Sequence, residues 1–364
     1  MKKLFVVYII LMIASQNSNA QGCVAIRAGG AVCTHQEAGA DNSKGWQLNT
    51  NYRYFKSFRH FVGSEEQKQR VEQKTDVRNW AHAMNLTLVR QFNNRWSMVV
   101  DVPISAFTRS SKYEHYGNTN TSANARRSTH AFGLGDIRVA GNYWLFNPAK
   151  STKGNVQVGL GIKFATGDYR VQDFFYKNDT TATLGPVDQS IQLGDGGTGF
   201  TTELNAYYNF SQTVGVYGNF YYLINPREQN GVSTSRGAAP SATAVRFGSS
   251  TMSVPDQYMI RGGANFNINR FSASAGIRME CIPSSDLIGG SSGFRRPGYV
   301  ISAEPGVNYR FKSFTAFATV PVAIERNRTK SYSDKLRTAA DGTDVHGDAA
   351  FADYSINVGF SVRF

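Results

Sequence analysis

The stretch Tyr354-Ser355-Ile356-Asn357-Val358-Gly359-Phe360-Ser361-Val362-Arg363-Phe364 alternates apolar and polar residues up to its last position. Tyr354, Ile356, Val358, Phe360, Val362 and Phe364 share one face, while Ser355, Asn357, Gly359, Ser361 and Arg363 share the other. A period of two over about ten residues is a β-strand with one apolar and one polar face. Such a strand needs an apolar environment on one side only.

The pattern recurs about twelve times from residue 44 onward. Leu48, Thr50, Tyr52 and Tyr54 alternate with Asn49, Asn51 and Arg53. Val156, Val158, Leu160, Ile162 and Phe164 alternate with Gln157, Gly159, Gly161 and Lys163. Further strands lie near Trp80–Leu88, Trp96–Ile104, Ile137–Tyr143, Phe200–Tyr208, Val214–Ile224, Tyr258–Ile268, Phe271–Ile277, Tyr299–Phe311 and Phe314–Ile324. Pro103, Pro305 and Pro321 fall inside this pattern and predict bulges, because proline has no ladder donor.

The connections alternate short and long. Short ones fall at Asn93–Arg95, Asn147–Gly154, Ser211–Thr213, Asn269-Arg270 and Lys312-Ser313. Long ones run from Phe55 to Asp76, Thr108 to His130, Thr166 to Gly197, Pro226 to Asp256, Pro283 to Pro297 and Arg326 to Ala349. Short periplasmic turns and long extracellular loops are the mark of outer-membrane barrels. Aromatics gather at both strand ends: Trp46, Phe92, Trp96, Phe146, Phe210, Phe266, Phe271, Phe311, Phe314 and Phe360 beside the turns, and Tyr54, Trp80, Phe107, Phe132, Phe164, Phe200, Tyr222, Tyr258 and Tyr299 beside the loops. Two girdles around an aliphatic band match two membrane interfaces. The expected fold is therefore all-β, a transmembrane antiparallel up-and-down β-barrel of about 12 strands with long extracellular loops.

The N-terminus reads as an export signal over residues 1–20. Lys2 and Lys3 precede the short apolar run Leu4–Ala14, and Ser18-Asn19-Ala20 prepares a cut before Gln21. Residues 21–43 then form a periplasmic or lumenal segment, with 44–364 as the barrel. No later run approaches the roughly 20 apolar residues of a membrane helix. The mean hydropathy of −0.35 fits a soluble protein and also a barrel whose alternate residues face a lumen. Cys23 and Cys33 lie close together and could pair in an oxidising compartment, or remain thiols. The net charge of +13 falls to +11 without Lys2 and Lys3, and it is dispersed along the chain. That pattern suits anionic lipopolysaccharide better than nucleic acid.

Facing the polar sides inward places a nearly balanced charge set in the lumen. The basic members are Arg53, Arg138, Lys163, Arg261, Arg278, Arg310 and Arg363, and the acidic ones Asp101, Asp136, Glu203, Glu280, Glu304 and Glu325. In so narrow a barrel these groups should pair across the lumen, as a selectivity lining or as filler. No metal, haem or iron–sulfur spacing appears, and no Gly-x-Ser-x-Gly or His-Glu-x-x-His motif. His82 lies on an apolar face without a nameable Ser partner, so no enzyme is indicated. Gly194-Asp195-Gly196-Gly197 lacks the Gly-Lys-Ser/Thr ending of a phosphate loop and reads as a loop entering a strand. Asp188 and Asp195 have no calcium-loop spacing.

Three stretches carry a resemblance. Phe132-Gly133-Leu134-Gly135-Asp136, Gly161-Ile162-Lys163-Phe164-Ala165-Thr166-Gly167 and Leu193-Gly194-Asp195-Gly196 occur in the order seen in the meta-pathway phenol-degradation family of outer-membrane proteins. This family is distantly similar to the long-chain fatty-acid transporters. The resemblance covers about residues 96–210 and implies a barrel that passes small apolar or aromatic molecules. The terminal strand ending at Phe364 likewise resembles the signal read by the barrel-assembly machinery. Two readings follow: a channel for passive diffusion of small solutes through a charged, loop-gated lumen, or a structural barrel whose loops bind a partner or lipopolysaccharide. The stretches Asp286–Gly290 and Arg295–Tyr299 suggest a loop folding back over the mouth.

Overall fold

A computed structural model describes residues 44–364; the expected export signal over 1–20 and the expected 21–43 segment with Cys23 and Cys33 lie outside the described residues. Twelve strands close into an antiparallel barrel. They are β1 (Gly45–Val62), β2 (Arg78–Gln91), β3 (Trp96–Ser111), β4 (Arg127–Leu134 and Arg138–Trp144), β5 (Gly154–Lys163), β6 (Gly199–Asn209), β7 (Val214–Ile224), β8 (Gln257–Ile268), β9 (Phe271–Ile282), β10 (Gly298–Arg310), β11 (Phe314–Thr319 and Val322–Asn327) and β12 (Ala349–Arg363). Neighbours in sequence are neighbours in the wall, and β12 returns to β1.

The closing seam is well paired. Thirteen register pairs link β1 to β12, from Gln47 opposite Arg363 to Phe61 opposite Ala349. Reciprocal backbone bonds join Trp46 and Phe364 at 2.8 and 2.9 Å. The ladder consumes the donors and acceptors that lipid cannot satisfy. The outer face carries large exposed apolar side chains, among them Leu160, Ile260, Ile277 and Ile324. Such a surface would drive association in water and is at home in hydrocarbon. The girdle aromatics beside the short turns are all exposed, with Phe210 at 65% and Trp96 at 52%. Phe107 departs from its expected place: it sits on the inward face of β3, 9% exposed, in an apolar cluster inside the barrel.

The prolines act on their neighbours. Pro103 lies within an uninterrupted β3, and its carbonyl accepts from Gly135. Its missing N–H therefore faces β4, which leaves the ladder at residues 135–137 and resumes with the inward parity changed from odd to even. Pro305 likewise faces β11, which breaks at Val320-Pro321. Pro321 in turn faces β12, since its carbonyl accepts from Ser355. Beyond this point one register pair, Val322 with Tyr354, joins the second segment of β11 to β12. Arg326 bridges the rest, donating to the Ala352 carbonyl at 3.0 Å and the Asp353 carboxylate at 2.8 Å.

Gly359 tests the closing seam. A Cβ there would collide with the Thr50 carbonyl and press on Phe317. Gly359→Val is expected to cut the yield of folded barrel several-fold, read as loss of the fast-migrating band in unheated SDS gels.

Candidate functional site

The interior holds two layers of charge with an apolar plug between them. In the lower layer, Arg53 donates both guanidinium nitrogens to Glu280 at 2.9 Å. Arg278 bonds Glu280 at 3.0 Å and lies 3.5 Å from Glu304, which Arg261 approaches to 2.8 Å. On the opposite wall Arg138 holds Asp101 at 2.6 Å and also contacts Glu203. Thr87 donates to Asp101 at 2.5 Å. Lys163 bridges Asp136 at 3.0 Å and Asp195 at 2.5 Å, and donates to the Gly197 carbonyl. These groups are nearly all buried, so each charge has to meet a partner on its own strand, on a nearby strand or across the lumen.

Ten of the eleven lumen residues expected from sequence stand in this layer. Arg310 stands apart, exposed at the periplasmic end of β10. Glu325 of the wider acidic set is not lumenal. The bulge near Ile301 turns it to the outer face, where the Tyr299 hydroxyl donates to it. His82 is also on the outer face, 2.7 Å from the Tyr52 hydroxyl through Nδ1.

The plug comes from the β5–β6 loop. A hairpin, Gln172–Tyr176 with Ala182–Pro186, leads to a tight turn at Gln189–Ile191. Asp188 caps that turn, accepting from the Ser190 amide at 3.0 Å and its hydroxyl at 2.7 Å. Val187, Ile191 and Leu193 then pack on the inward side chains Ala81, Phe107 and Ala131. Burying three such side chains stabilises the inserted loop by roughly 1.5–3 kcal/mol each. Gln192 is buried and bonds the Val171 and Val187 carbonyls and the Val171 amide. Gly167 and Gly194 approach so closely that a Cβ on either would strike the other's backbone.

The upper charge layer ties this plug down. Arg109 of β3 reaches Glu114 at 3.0 Å, Asn79 at 3.0 Å and Asp188 at 3.5 Å. Arg296 grips Asp188 with two bonds of 2.8 and 2.7 Å. Arg295 does the same to Asp286, both fully buried. The β9–β10 loop thus folds over the mouth. Burial opposes ionisation of Asp188, but Arg109 and Arg296 outweigh it and hold its carboxyl well below the usual range. Asp188 and Asp195 are committed to arginine and lysine, and no metal cluster appears among the described residues. The fold-back of Arg295–Tyr299 over the mouth follows the sequence reading, but the plug and its grip by Arg109 and Arg296 were missed, because contacts between distant segments leave no periodic trace.

Two cavities adjoin the plug. One of about 90 Å³ is lined by Phe55, Phe107, Leu193 and Leu223 beside Arg53, Asp101 and Arg138. The other, about 70 Å³, runs from Phe55 and Ile191 to Pro321, Ala323, Ala352 and Tyr354 at the thinly paired β11–β12 seam.

No family model and no curated protein matches the chain. An outer membrane channel from Pseudomonas putida F1 has the same fold, with a TM-score of 0.55 at 10% identity over 88% of this chain and 96% of that one. The translocator domain of the autotransporter NalP from Neisseria meningitidis scores 0.45 at 12% identity, over 90% and 92% of the two chains. The P. putida toluene transporter TodX scores 0.41 at 10% identity, over 94% and 96%. The fold is that of an outer-membrane barrel.

Two outcomes check this site. Arg138→Leu strands Asp101 and Glu203 and should cost about 3–5 kcal/mol, measured by urea unfolding in lipid vesicles; replacing all three by Leu should recover most of it. His115 is stacked on Phe175, and its Nδ1 accepts from the Tyr176 amide at 3.2 Å. Burial pushes its pKa down to about 4. The folded state therefore binds fewer protons than the unfolded one between about pH 6.5 and 4, and loop stability falls as pH drops through that window. The protection factor of the Tyr176 amide should fall across that window, and His115→Gln should flatten its pH profile.

Proposed function

We propose that this barrel is a passive outer-membrane channel for small solutes with an apolar body, gated by the inserted β5–β6 loop. One observation carries the reading: cavities lined jointly by apolar side chains and paired charges lie directly beneath a plug held by packing and ion pairs. A structural barrel gains nothing from a loop inserted on itself with space below it. A channel needs that arrangement, because a neutral solute can slide along the apolar wall while the paired charges remain satisfied. The likeness in fold to a protein described as an outer membrane channel supports the same reading. The lumenal pairs Arg53–Glu280, Asp101–Arg138–Glu203, Asp136–Lys163 and Arg261–Glu304–Arg278 set selectivity in this reading, and Arg310 meets the solute at the periplasmic exit. The β11–β12 seam offers apolar solutes a second way out, into the bilayer. Lipid and lipopolysaccharide surround the barrel, and the barrel-assembly machinery would read the strand ending at Phe364.

Swelling of liposomes carrying the refolded protein tests the proposal. Replacing Val187–Leu193 with a Gly-Ser linker should raise the influx of a small neutral aromatic alcohol at least several-fold. An unchanged rate from a folded variant would point to the alternative, a structural barrel.

A further inference from the structure

Above the plug, the loops enclose a larger cavity of about 460 Å³, within the size range of small-molecule sites. Its walls are unequal in charge. Seven arginines line it against three aspartates, Asp188, Asp334 and Asp348. Most of these cations are committed: Arg109 and Arg296 share Asp188, Arg295 takes Asp286, Arg328 takes Asp334 at 3.0 Å, and Arg70 takes Asp348 at 3.2 Å. Two are in surplus. Arg236 stacks on Tyr113 at 4.7 Å and lies 3.6 Å from Glu114, a carboxylate it shares with Arg109, so three arginines answer the two carboxylates Asp188 and Glu114. Arg337 has no carboxylate within 4 Å among the described residues, and its Nε is buried without a hydrogen-bond partner.

Arg337 is placed there by the loop helix Tyr332–Asp341. Ser331 and Asp334 cap that helix reciprocally, and Arg328 holds Asp334. The side one turn beyond Asp334 therefore faces the cavity. Between the arginines the lining is mixed: Val77, Val187, Met252 and Phe294 give it apolar surface among polar side chains such as Asn79, Gln189, Thr234 and Ser333. A guanidinium excess beside apolar surface matches a carboxylate joined to a hydrocarbon or aromatic body. A neutral apolar solute would leave the arginines unanswered, and a bare inorganic anion would leave the apolar part of the wall uncovered.

We propose that this vestibule is a capture site for small apolar carboxylates, held by Arg337 and Arg236, above the plug. The proposal rests on the channel reading for the ligand's onward passage, but not for its binding. The site lies outside the paired lumen and requires no movement of the plug to fill.

Calorimetric titration of the refolded full chain in detergent tests it, with 4-phenylbutyrate as probe and 4-phenyl-1-butanol as its neutral counterpart. The carboxylate should bind about tenfold more tightly, as one unanswered charge-assisted hydrogen bond would give, and added salt should narrow the gap. Arg337→Gln and Arg236→Gln should each remove most of the preference, while Lys150→Gln in a periplasmic turn should leave it unchanged. Equal affinities for acid and alcohol would overturn the proposal, as would a preference that survives in both arginine variants. Migration in unheated gels establishes folding, and Arg236→Gln carries the test if Arg337→Gln misfolds. Binding without flux through the plug-shortened barrel would sink the channel reading alone; flux without acid preference would sink the capture site alone.

Discussion

In hydrocarbon every peptide group has to find its hydrogen bond within the protein. The pairing of β12 with β1 meets that demand for the whole wall, since without it two strand edges would face lipid. Much else follows from closure. Side chains must alternate between bilayer and lumen, so the polar half of every strand is gathered into one narrow space. Charges in that space can neither reach bulk water freely nor go unpaired. Arg138 between Asp101 and Glu203, and Glu280 between Arg53 and Arg278, are the resulting solution.

The same confinement explains how a loop can close the barrel. Paired charges alone make a poor seal, because water competes for them. The inserted turn brings Val187, Ile191 and Leu193 against Phe107 and the small residues Ala81 and Ala131, a dry contact inside a polar tube. Arg109 and Arg296 then fasten the turn from two independent elements through one carboxylate, Asp188. Displacing the turn means breaking both grips together, which favours a gate that is either seated or free.

The barrel was largely legible in the sequence because it is built from a short repeat. Twelve strands, their facing and the turn-side girdle all follow from a period of two and from the spacing of turns, and Val214–Ile224 is a strand at the bounds the pattern suggested. The misplacements arose where that period is disturbed. The bulge near Ile301 rotates Glu325 outward. Residues 135–137 shift the parity of β4, so the strand begins at Arg127, earlier than its later half suggests. Phe107 read as a girdle residue because proximity to a strand end is visible in sequence, whereas its facing had to be counted through Pro103. The plug was not legible: its determinants, Asp188, Arg109 and Arg296, lie far apart in the chain and meet only once the wall exists.

The two edges of β12 are unequal. Thirteen register pairs bind it to the first strand of the chain, and seven bind it to the strand that precedes it. The C-terminal strand thus belongs mechanically to the N-terminal end of the wall, and its weaker edge is the one beside β11. Bilayer thickness and lateral tension load both edges of a strand alike. In a stretched or thinned membrane β12 would part from β11 beside Pro321 before it left β1, so the lipid itself bears on how wide that side of the wall stands.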